Sequence, residues 1–531
     1  MNIKTQIHIV DKEISSSISG KLRLCIYSLL FLILSGMIVG FHSVEDNQQM
    51  KMLGYIETKS STQIQSSPWG IQAGTLDDTI VKRASEIGVK WTRLQAVWSD
   101  IEREPGVFTW DKTDKAFTSI LEQGITPFVT IEGTNGIYVK TRRILDPKLA
   151  ELYGTRPHPP TSHPEAMKAW LFFVEKVIER YKGKIKYWEI WNEPNHFNYW
   201  GDEPNGKEYG RLLHESAKII KRIDPQAFIL GGAMAGLDPV FTDAFLSAGN
   251  AKLVDIITFH NYGIIPEERI YLAEKVWNVI HKYNKNIKLW QGECGVASHS
   301  STIGFRGFSP WGPIIQAKWL LRQSFTDTYF CHATLSNYFK LFDPNRYGEK
   351  PKRSFMTTID SVLGYPERGG FSVKLLVGIN EKCLLEAQTL KPKPGFYAYQ
   401  NLCALMDGRY SPSEVKHEIT IHDVGVFYGI GPEDDAFPSV PLVASYKTEN
   451  GKYLLAYWLP WHPQEMIKPA SIDLTLKNVE LQNPVLIDLL DGKVYQVNQS
   501  LKEGNNYVVK NIPLADYPMI VAERDEIELK K

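Results

Sequence analysis

Residues 185–195 read IKYWEIWNEPN, and this stretch carries the pattern that decides the fold. Its apolar and aromatic residues are typical of a buried strand, and Pro194 ends the run because proline cannot donate to a strand ladder. The stretch therefore predicts a strand that closes on Glu193. Residues 287–295 read IKLWQGECG and repeat the arrangement, with Glu293 near the end of a second apolar run.

Strand patterns and helix patterns alternate along the chain from Trp69 onward. Such alternation is typical of parallel α/β folds, and eight pairs favour a closed (β/α)₈ (TIM) barrel over an open sheet. No GxGxxG turn follows the first strand, so nothing indicates a dinucleotide site. The predicted strands are 69–74, 89–95, 126–132, 186–192, 227–232, 255–260, 288–293 and 333–340. The helix patterns lie near 78–87, 112–123, 163–182, 206–223, 239–249, 266–284, 312–328 and 394–407.

The C-terminal part of the chain has a different period. From about residue 412 the apolar residues alternate with polar ones, and turn pairs such as Asn450-Gly451 and Asp491-Gly492 separate the runs. This pattern predicts antiparallel strands. We therefore expect a catalytic barrel domain over 68–411 and a C-terminal antiparallel β-sandwich domain over 412–531.

The N-terminal part contains an uncharged apolar stretch at 24–41, which is long enough to cross a bilayer. Basic residues precede it and acidic residues follow it, which favours a cytoplasmic segment at 1–23 and an extracytoplasmic remainder. The sequence predicts a transmembrane anchor or signal helix at 24–42, followed by a linker at 43–67. The expected location is the cell membrane, with the barrel outside the cytoplasm, or a secreted form.

Composition excludes several classes of function. The chain has 60 basic and 60 acidic residues, so no net charge and no long basic run indicate nucleic acid as a partner. The five cysteines form no CxxC pair and lie in no His/Cys cluster with zinc spacing. The sequence predicts no metal and no cofactor.

Two strand-end carboxylates are the candidate catalytic groups. In a (β/α)₈ barrel the C-terminal ends of the strands carry the chemistry, so Glu193 and Glu293 should face each other across the barrel mouth. Cleavage of a glycosidic bond needs two carboxyl groups, about 5–5.5 Å apart when configuration is retained. A single strand-end glutamate is more often a salt-bridge partner or a helix cap, and Glu132, which closes the third predicted strand, is interpreted in that way.

The sequence around the pair resembles clan A glycoside hydrolases, whose fold is a (β/α)₈ barrel. Residues 191–195 (WNEPN) are similar to the clan's acid/base motif, and Glu293 matches its nucleophile position. Residues 259–262 (FHNY) resemble the His-x-Tyr element, whose tyrosine binds the nucleophile in that clan. Arg93, on the second predicted strand, matches an arginine that also contacts the nucleophile.

Within the clan, the chain resembles glycoside hydrolase family 39 most. The similar stretches are 103–117 (REPGVFTWDKTDKAF) and 191–200 (WNEPNHFNYW), together with the C-terminal β domain. That family includes β-xylosidases, α-L-iduronidases and membrane-associated hydrolases of bacterial exopolysaccharides. An insertion at 343–392 departs from the family pattern, and family 5, which shares the catalytic motifs, stays open.

The resemblance implies a retaining O-glycosidase that acts on a carbohydrate substrate, with β-linked bonds expected. Glu193 would be the acid/base and Glu293 the nucleophile. A transglycosylase with the same residues and a catalytically silent carbohydrate-binding barrel are the alternatives. Phe339, beside Tyr338 on the eighth strand, is a second candidate for an aromatic floor beneath the sugar. The predicted substrate-binding residues are Asn192, Arg93, His260, Tyr262, Tyr338 and Trp200.

Overall fold

The computed structural model describes most of the chain after residue 49. The described residues are 50–74, 76–139, 141–142, 156–201, 203–262, 265–298, 312–342, 382–386, 389–423, 426–427, 440–461, 463, 467–497 and 499–531. The predicted membrane helix at 24–42 and most of the predicted insertion at 343–392 lie outside these residues. Within them, none of the helices combines the length and the apolar character that crossing a bilayer requires.

Eight parallel strands close into a barrel, with each strand paired to the next along the chain and the last paired to the first. This confirms the predicted (β/α)₈ barrel. The barrel strands are β1 Trp69–Ile71, β2 Trp91–Val97, β3 Thr126–Glu132, β4 Tyr187–Ile190, β5 Phe228–Ala235, β6 Ile256–His260, β7 Lys288–Cys294 and β8 Ser336–Tyr338. The main helices around them are α1 Asp78–Ile87, α2 Asp111–Glu122, α3 Pro164–Tyr181, α4 Gly206–Ile223, α5 Pro239–Ser247, α6 Arg269–Tyr283, α7 Pro313–Phe325 and α8 Pro394–Leu405.

Local sequence signals fix the ends of several helices. The Asn205 side chain accepts hydrogen bonds from the backbone of residues 207 and 208 and so caps the start of α4. Asp238 caps α5 in the same way, with Pro239 in the first helical position, where a missing N–H costs nothing. Helix α1 ends at Gly88, whose φ of 91° is accessible mainly to glycine.

Antiparallel sheets follow the barrel, as the sequence predicts. Their strands are β9 Tyr410–Pro412, β10 His417–Asp423, β11 Leu442–Thr448, β12 Tyr453–Trp458, β13 Ala470–Lys477, β14 Pro484–Asp488, β15 Lys493–Gln496, β16 Ser500–Glu503, β17 Asn506–Leu514 and β18 Met519–Glu523. One sheet has four strands in the order β10, β13, β17, β16. A seven-stranded sheet contains β15, β14, β18, β12, β11 and β9, with a further strand beside β15.

That further strand comes from the N-terminal side of the barrel. Residues Met52–Tyr55 pair antiparallel with β15, and Ile56 and Ile64 are buried. The linker predicted at 43–67 therefore needs correction from Met52 onward, because long-range pairing and burial hold these residues on the folded unit. The short MLGY run gives too weak a local pattern to indicate a strand.

A buried ionic network joins the barrel to the seven-stranded sheet. Arg322, on α7, binds both oxygens of Glu267 at 2.8 and 2.7 Å. The indole of Trp458, on β12, donates to the same carboxylate at 2.7 Å. Lys318, one turn earlier on α7, pairs with Asp516 at 2.8 Å. These contacts fix one side of the barrel against the C-terminal strands.

Candidate active site

Arg93 organises the C-terminal mouth of the barrel. It lies on β2 with only 1% of its surface exposed, and its guanidinium reaches groups from two other strands. Its Nε donates to Glu189 on β4 at 2.8 Å, and its Nη1 donates to Glu293 on β7 at 2.9 Å. Its Nη2 donates to the side-chain oxygen of Asn192 at 2.9 Å. One arginine thus fixes the relative positions of the ends of β4 and β7.

Glu189 is a member of this network that the sequence motifs do not single out. It is fully buried, and Thr130 donates to it at 2.6 Å alongside the hydroxyl of Thr258. Burial raises the pKa of Glu189, but the charge interactions with Arg93 and His260 and the hydrogen bonds from the two threonines together lower it by more, so the resulting pKa lies below the ordinary value. The signal in the sequence is a carboxylate inside the apolar run YWEIW, since a buried charge must find a partner.

Glu293 is held as an anion by donors on both oxygens. Arg93 binds Oε2, and the hydroxyl of Tyr262 donates to Oε1 at 2.5 Å. Burial raises the pKa of Glu293, but the electrostatic interactions with His260 and Arg93 and the Tyr262 hydrogen bond lower it, and the net pKa lies below the ordinary value. The carboxylate is therefore ionised at neutral pH, as attack on an electrophilic carbon requires.

Glu193 lies just beyond the end of β4 in a backbone conformation that costs energy. Its φ is 45°, in the left-handed region that a residue with a side chain enters rarely. Its N–H donates to the carbonyl of Ala233 at 2.9 Å, which holds the turn in place. The Nδ1 of His260, at the end of β6, lies 3.0 Å from Glu193 Oε1. The turn thus aims the carboxyl group into the mouth of the barrel.

Three polar atoms meet at the centre of the site. One carboxylate oxygen of Glu193, one of Glu293 and a ring nitrogen of His260 all lie within 4.8 Å of one another. Such a group offers enough ligand atoms for a metal ion, but the guanidinium of Arg93 already neutralises Glu293 and would repel a cation there. The arrangement fits two carboxyl groups that work on one bond.

A cleft of about 390 Å³ opens beside Glu293. Asn192 and Phe339 line it, as does Glu132 at the end of β3. Gln95 donates to Glu132 at 2.6 Å, whereas Arg93 binds other groups. The pKa of Glu132 is raised to about 7. Burial is the largest cause, Arg93 opposes the rise, and the neighbouring charges of Glu293 and Glu189 add to it. The interpretation of Glu132 as a salt-bridge glutamate is therefore wrong, and the cleft contains a third carboxyl group.

Two aromatic residues predicted to bind substrate do not reach the cleft. Tyr338 is 1% exposed, and its hydroxyl donates to the carbonyl of Lys382 at 3.1 Å inside the protein. Trp200 is fully buried, with its ring 5.8 Å from that of Trp191. The neighbouring residues Phe339 and Tyr199 line the cleft instead. Tyr338 ends β8 and Phe339 follows it, whereas Tyr199 and Trp200 lie on a short helix, so an aromatic pair in the sequence does not show which ring faces the cleft.

The other predicted residues come together as expected. Arg93 and Tyr262 contact Glu293, His260 contacts Glu193, and Asn192 borders the cleft. His260 ends its strand, Asn192 and Tyr262 lie just beyond strand ends, and Arg93 lies within β2, from which its long side chain reaches the mouth.

Comparison with known proteins places these motifs in a family context. The sequence profile described as "Glycosyl hydrolases family 39" matches residues 77–285. That span includes Glu193 and Tyr262 but ends before Glu293. A β-xylosidase from Geobacillus stearothermophilus is 35% identical over 94 residues, which is 17% of this chain and only 18% of that enzyme.

Solved structures share the fold at low sequence identity. A family 39 glycoside hydrolase from Bacteroides cellulosilyticus WH2 superposes with a TM-score of 0.59 at 15% identity, over 86% of this chain and 81% of that one. A monomeric β-xylosidase from Caulobacter crescentus CB15 gives a TM-score of 0.51 at 14% identity, over 89% and 97%. Together the comparisons confirm the resemblance to glycoside hydrolase family 39, and the solved structures share the barrel fold.

Proposed function

We propose that this protein is a retaining glycosidase that hydrolyses β-linked sugars by double displacement. The observation that carries the proposal is the pairing of Glu293, held as an anion by Arg93 and Tyr262, with Glu193 at the opposite side of the mouth. Their nearest oxygens lie within 4.8 Å. This spacing favours retention, because an inverting pair stands about 6.5–9.5 Å apart to admit a water molecule.

In the first step Glu293 attacks the anomeric carbon and forms a glycosyl ester. Glu193, protonated at that moment, donates its proton to the departing oxygen, so the leaving group departs as a neutral alcohol. The hydrogen bond from Tyr262 fixes the orientation of the Glu293 carboxylate. Its contribution to the rate is to position the attacking oxygen.

In the second step Glu193 acts as a base. It removes a proton from a water molecule that attacks the same carbon, which breaks the ester and restores the Glu293 carboxylate. His260, 3.0 Å from Glu193, fixes the orientation of this carboxyl group in both steps. The overall reaction adds water across the bond and retains the anomeric configuration.

Asn192 is positioned to hydrogen-bond the sugar at the carbon next to the reacting one. Its side-chain oxygen accepts from Arg93, which leaves the amide NH₂ facing the cleft. We infer that this NH₂ donates to the sugar's 2-hydroxyl, a contact that strengthens in the oxocarbenium-like transition state.

A substrate panel identifies the sugar that the enzyme accepts. β-Xylosides are the first substrates to test, because two of the similar proteins are β-xylosidases. A panel of p-nitrophenyl β-xyloside, β-glucoside and β-galactoside, followed by proton NMR, tests activity and stereochemistry together. We expect the β-anomer to appear first and then to mutarotate, with no release of sugar by Glu293→Gln. Initial appearance of the α-anomer would refute double displacement.

We also propose, from the sequence alone, that the apolar segment at 24–42 anchors the enzyme outside the cytoplasm. Full-length protein in the membrane fraction, sensitive to protease added outside the cell, would support this. A wholly soluble protein that begins near residue 43 would show cleavage of a signal peptide instead.

A further inference from the structure

A long open groove leads away from the catalytic cleft. Its volume is about 1210 Å³, which exceeds the range of about 300–1,000 Å³ that is usual for pockets holding one small molecule. Gln72, Gln95 and Lys340 line both the groove and the cleft, so the two adjoin at these side chains. A space of this size and position is more than one sugar ring needs.

The groove lies on the side of the mouth away from the acid/base. Gln72 follows β1, Gln95 lies on β2, and Lys340 follows β8. Glu193, in contrast, contacts His260 on β6. In a closed barrel of eight sequential strands, β1 and β2 lie opposite β5 and β6. Glu193 protonates the leaving oxygen, so the leaving sugar lies beside it. The groove therefore extends on the glycone side of the bond that is cleaved.

The walls of the groove combine charged groups of both signs with apolar side chains. Exposed groups on them include Asp77 from the start of α1, Asp100 and Arg103 from the segment after β2, and Lys112 on α2. Such a surface offers donors and acceptors for hydroxyl groups beside apolar side chains that can contact the C–H faces of sugar rings. It suits a hydrated sugar chain.

The leaving-group side carries a different kind of surface. Phe197 and Tyr199, on the short helix Phe197–Trp200 directly after the Glu193 turn, are 37% and 46% exposed. Tyr199 also lines the catalytic cleft. Exposed aromatic rings beside a polar cleft offer a flat apolar face to the C–H side of a sugar ring. The site thus has space and contacts on both sides of the scissile bond.

We propose that the site binds a sugar chain that extends on both sides of the cleaved bond, with at least two glycone units in the groove, and that the enzyme cleaves within chains. The proposal rests on the proposed glycosidase function. A pocket for a single terminal sugar would be closed beyond the reacting ring, and here it opens into the groove.

The test uses p-nitrophenyl glycosides that carry one, two or three β-1,4-linked units of xylose, glucose or galactose. We expect kcat/KM for the preferred sugar to rise at least about tenfold from one unit to three, with the intact oligosaccharide released. A flat or falling length dependence, or release of single sugars from the non-reducing end, would overturn the groove proposal and leave the glycosidase intact. Release of p-nitrophenol from none of the substrates would instead contradict the glycosidase function and, with it, this inference.

A matched pair of variants assigns the length dependence to the groove. Arg103→Ala combined with Lys112→Ala should lower kcat/KM for the three-unit substrate by about tenfold and leave the one-unit substrate unchanged. Lys168→Ala removes an exposed lysine from α3, outside the groove, and should change neither value. An equal loss on both substrates in the double variant would contradict the proposal.

Discussion

Two buried arginines, Arg93 and Arg322, bind carboxylates by similar chemistry in two regions of this molecule. Arg322 and Glu267 form a bidentate pair whose remaining contacts are also protein groups, among them the indole of Trp458. Arg93 divides its donors among three acceptors, and one of them, Glu293, keeps 15% of its side chain exposed to the cleft. The first network is closed, whereas the second opens on the substrate site.

The difference separates stability from chemistry. A closed pair in which each polar atom has a protein partner can only hold elements together, here α7 and β12. The open network leaves one ionised oxygen facing a cleft, at a point where the backbone of Glu193 is also strained. Burial and charge pairing alone therefore do not identify a catalytic group. Access to the cleft distinguishes the two networks.

Replacing the central carboxylate of each network should give the largest contrast. Glu293→Gln removes the nucleophile and should lower kcat by roughly 10⁴-fold or more, with little change in unfolding. Glu267→Gln should leave kcat unchanged and lower the free energy of unfolding by about 3 kcal/mol, since it leaves Arg322 buried against a neutral group. Steady-state kinetics and urea denaturation of both variants provide the comparison, and equal kcat in the two would contradict it.

Replacing the arginines should give equal losses of stability but unequal losses of activity. Arg93→Met and Arg322→Met each leave a buried carboxylate without its charged partner, which costs about 3–5 kcal/mol. Only Arg93→Met should also lower kcat/KM, by about 10²–10³-fold, because it removes a donor from the reacting group. Kinetic measurements well below each variant's melting temperature separate the loss of activity from the loss of stability. A comparable loss of kcat/KM in Arg322→Met would contradict the difference between the two networks.

The neutral donors of the two networks form a third pair. Tyr262→Phe removes the hydrogen bond that positions the attacking oxygen of Glu293 and should slow the first step roughly tenfold to a hundredfold. Trp458→Phe removes the corresponding donor to Glu267 and should lower stability without slowing the reaction. Single-turnover rates measure the first effect and thermal unfolding the second. An unchanged rate in Tyr262→Phe would show that the phenol does not position Glu293.

Glu132 should produce the smallest effect, visible as a pH dependence of stability. Its pKa is raised to about 7 in the folded protein, so the folded state holds a proton that the unfolded state releases near pH 4–5. The stability from this group is complete below pH 4 and is lost as pH rises to about 7. Glu132→Gln should therefore raise Tm by about 1–3 °C at pH 8 relative to pH 4. Glu122→Gln, an exposed carboxylate on α2, is the control, and an equal shift in both variants would exclude a special environment for Glu132.

The sequence predicted the barrel well because its signals are local. Apolar runs of strand length, the capping residues Asn205 and Asp238, and the proline after Glu193 each determine structure within a few residues. The same locality explains why the sequence predicts the positions of Glu193, Glu293 and Arg93 at the barrel mouth. Glu293 and Arg93 lie on strands whose C-terminal ends face the mouth, and Glu193 lies just beyond the end of another.

The remaining features depend on contacts between distant parts of the chain. The Met52–Tyr55 strand pairs with residues more than 400 positions away, and Trp458 reaches Glu267 across 191 positions. No local pattern encodes such partners. Which ring of Tyr338 and Phe339 faces the substrate also depends on how the last barrel strand ends, and the sequence alone does not determine this.

The most direct test of the account is to trap the glycosyl ester. An activated 2-fluoro glycoside of the preferred sugar slows both steps, and the second more than the first, so the intermediate should accumulate. Mass spectrometry of the digested protein should place the label on Glu293, within residues 289–297, and Glu293→Gln should take up none. Label on Glu132 or Glu193, or turnover with no covalent adduct and an inverted product, would contradict the assignment of Glu293 as the nucleophile.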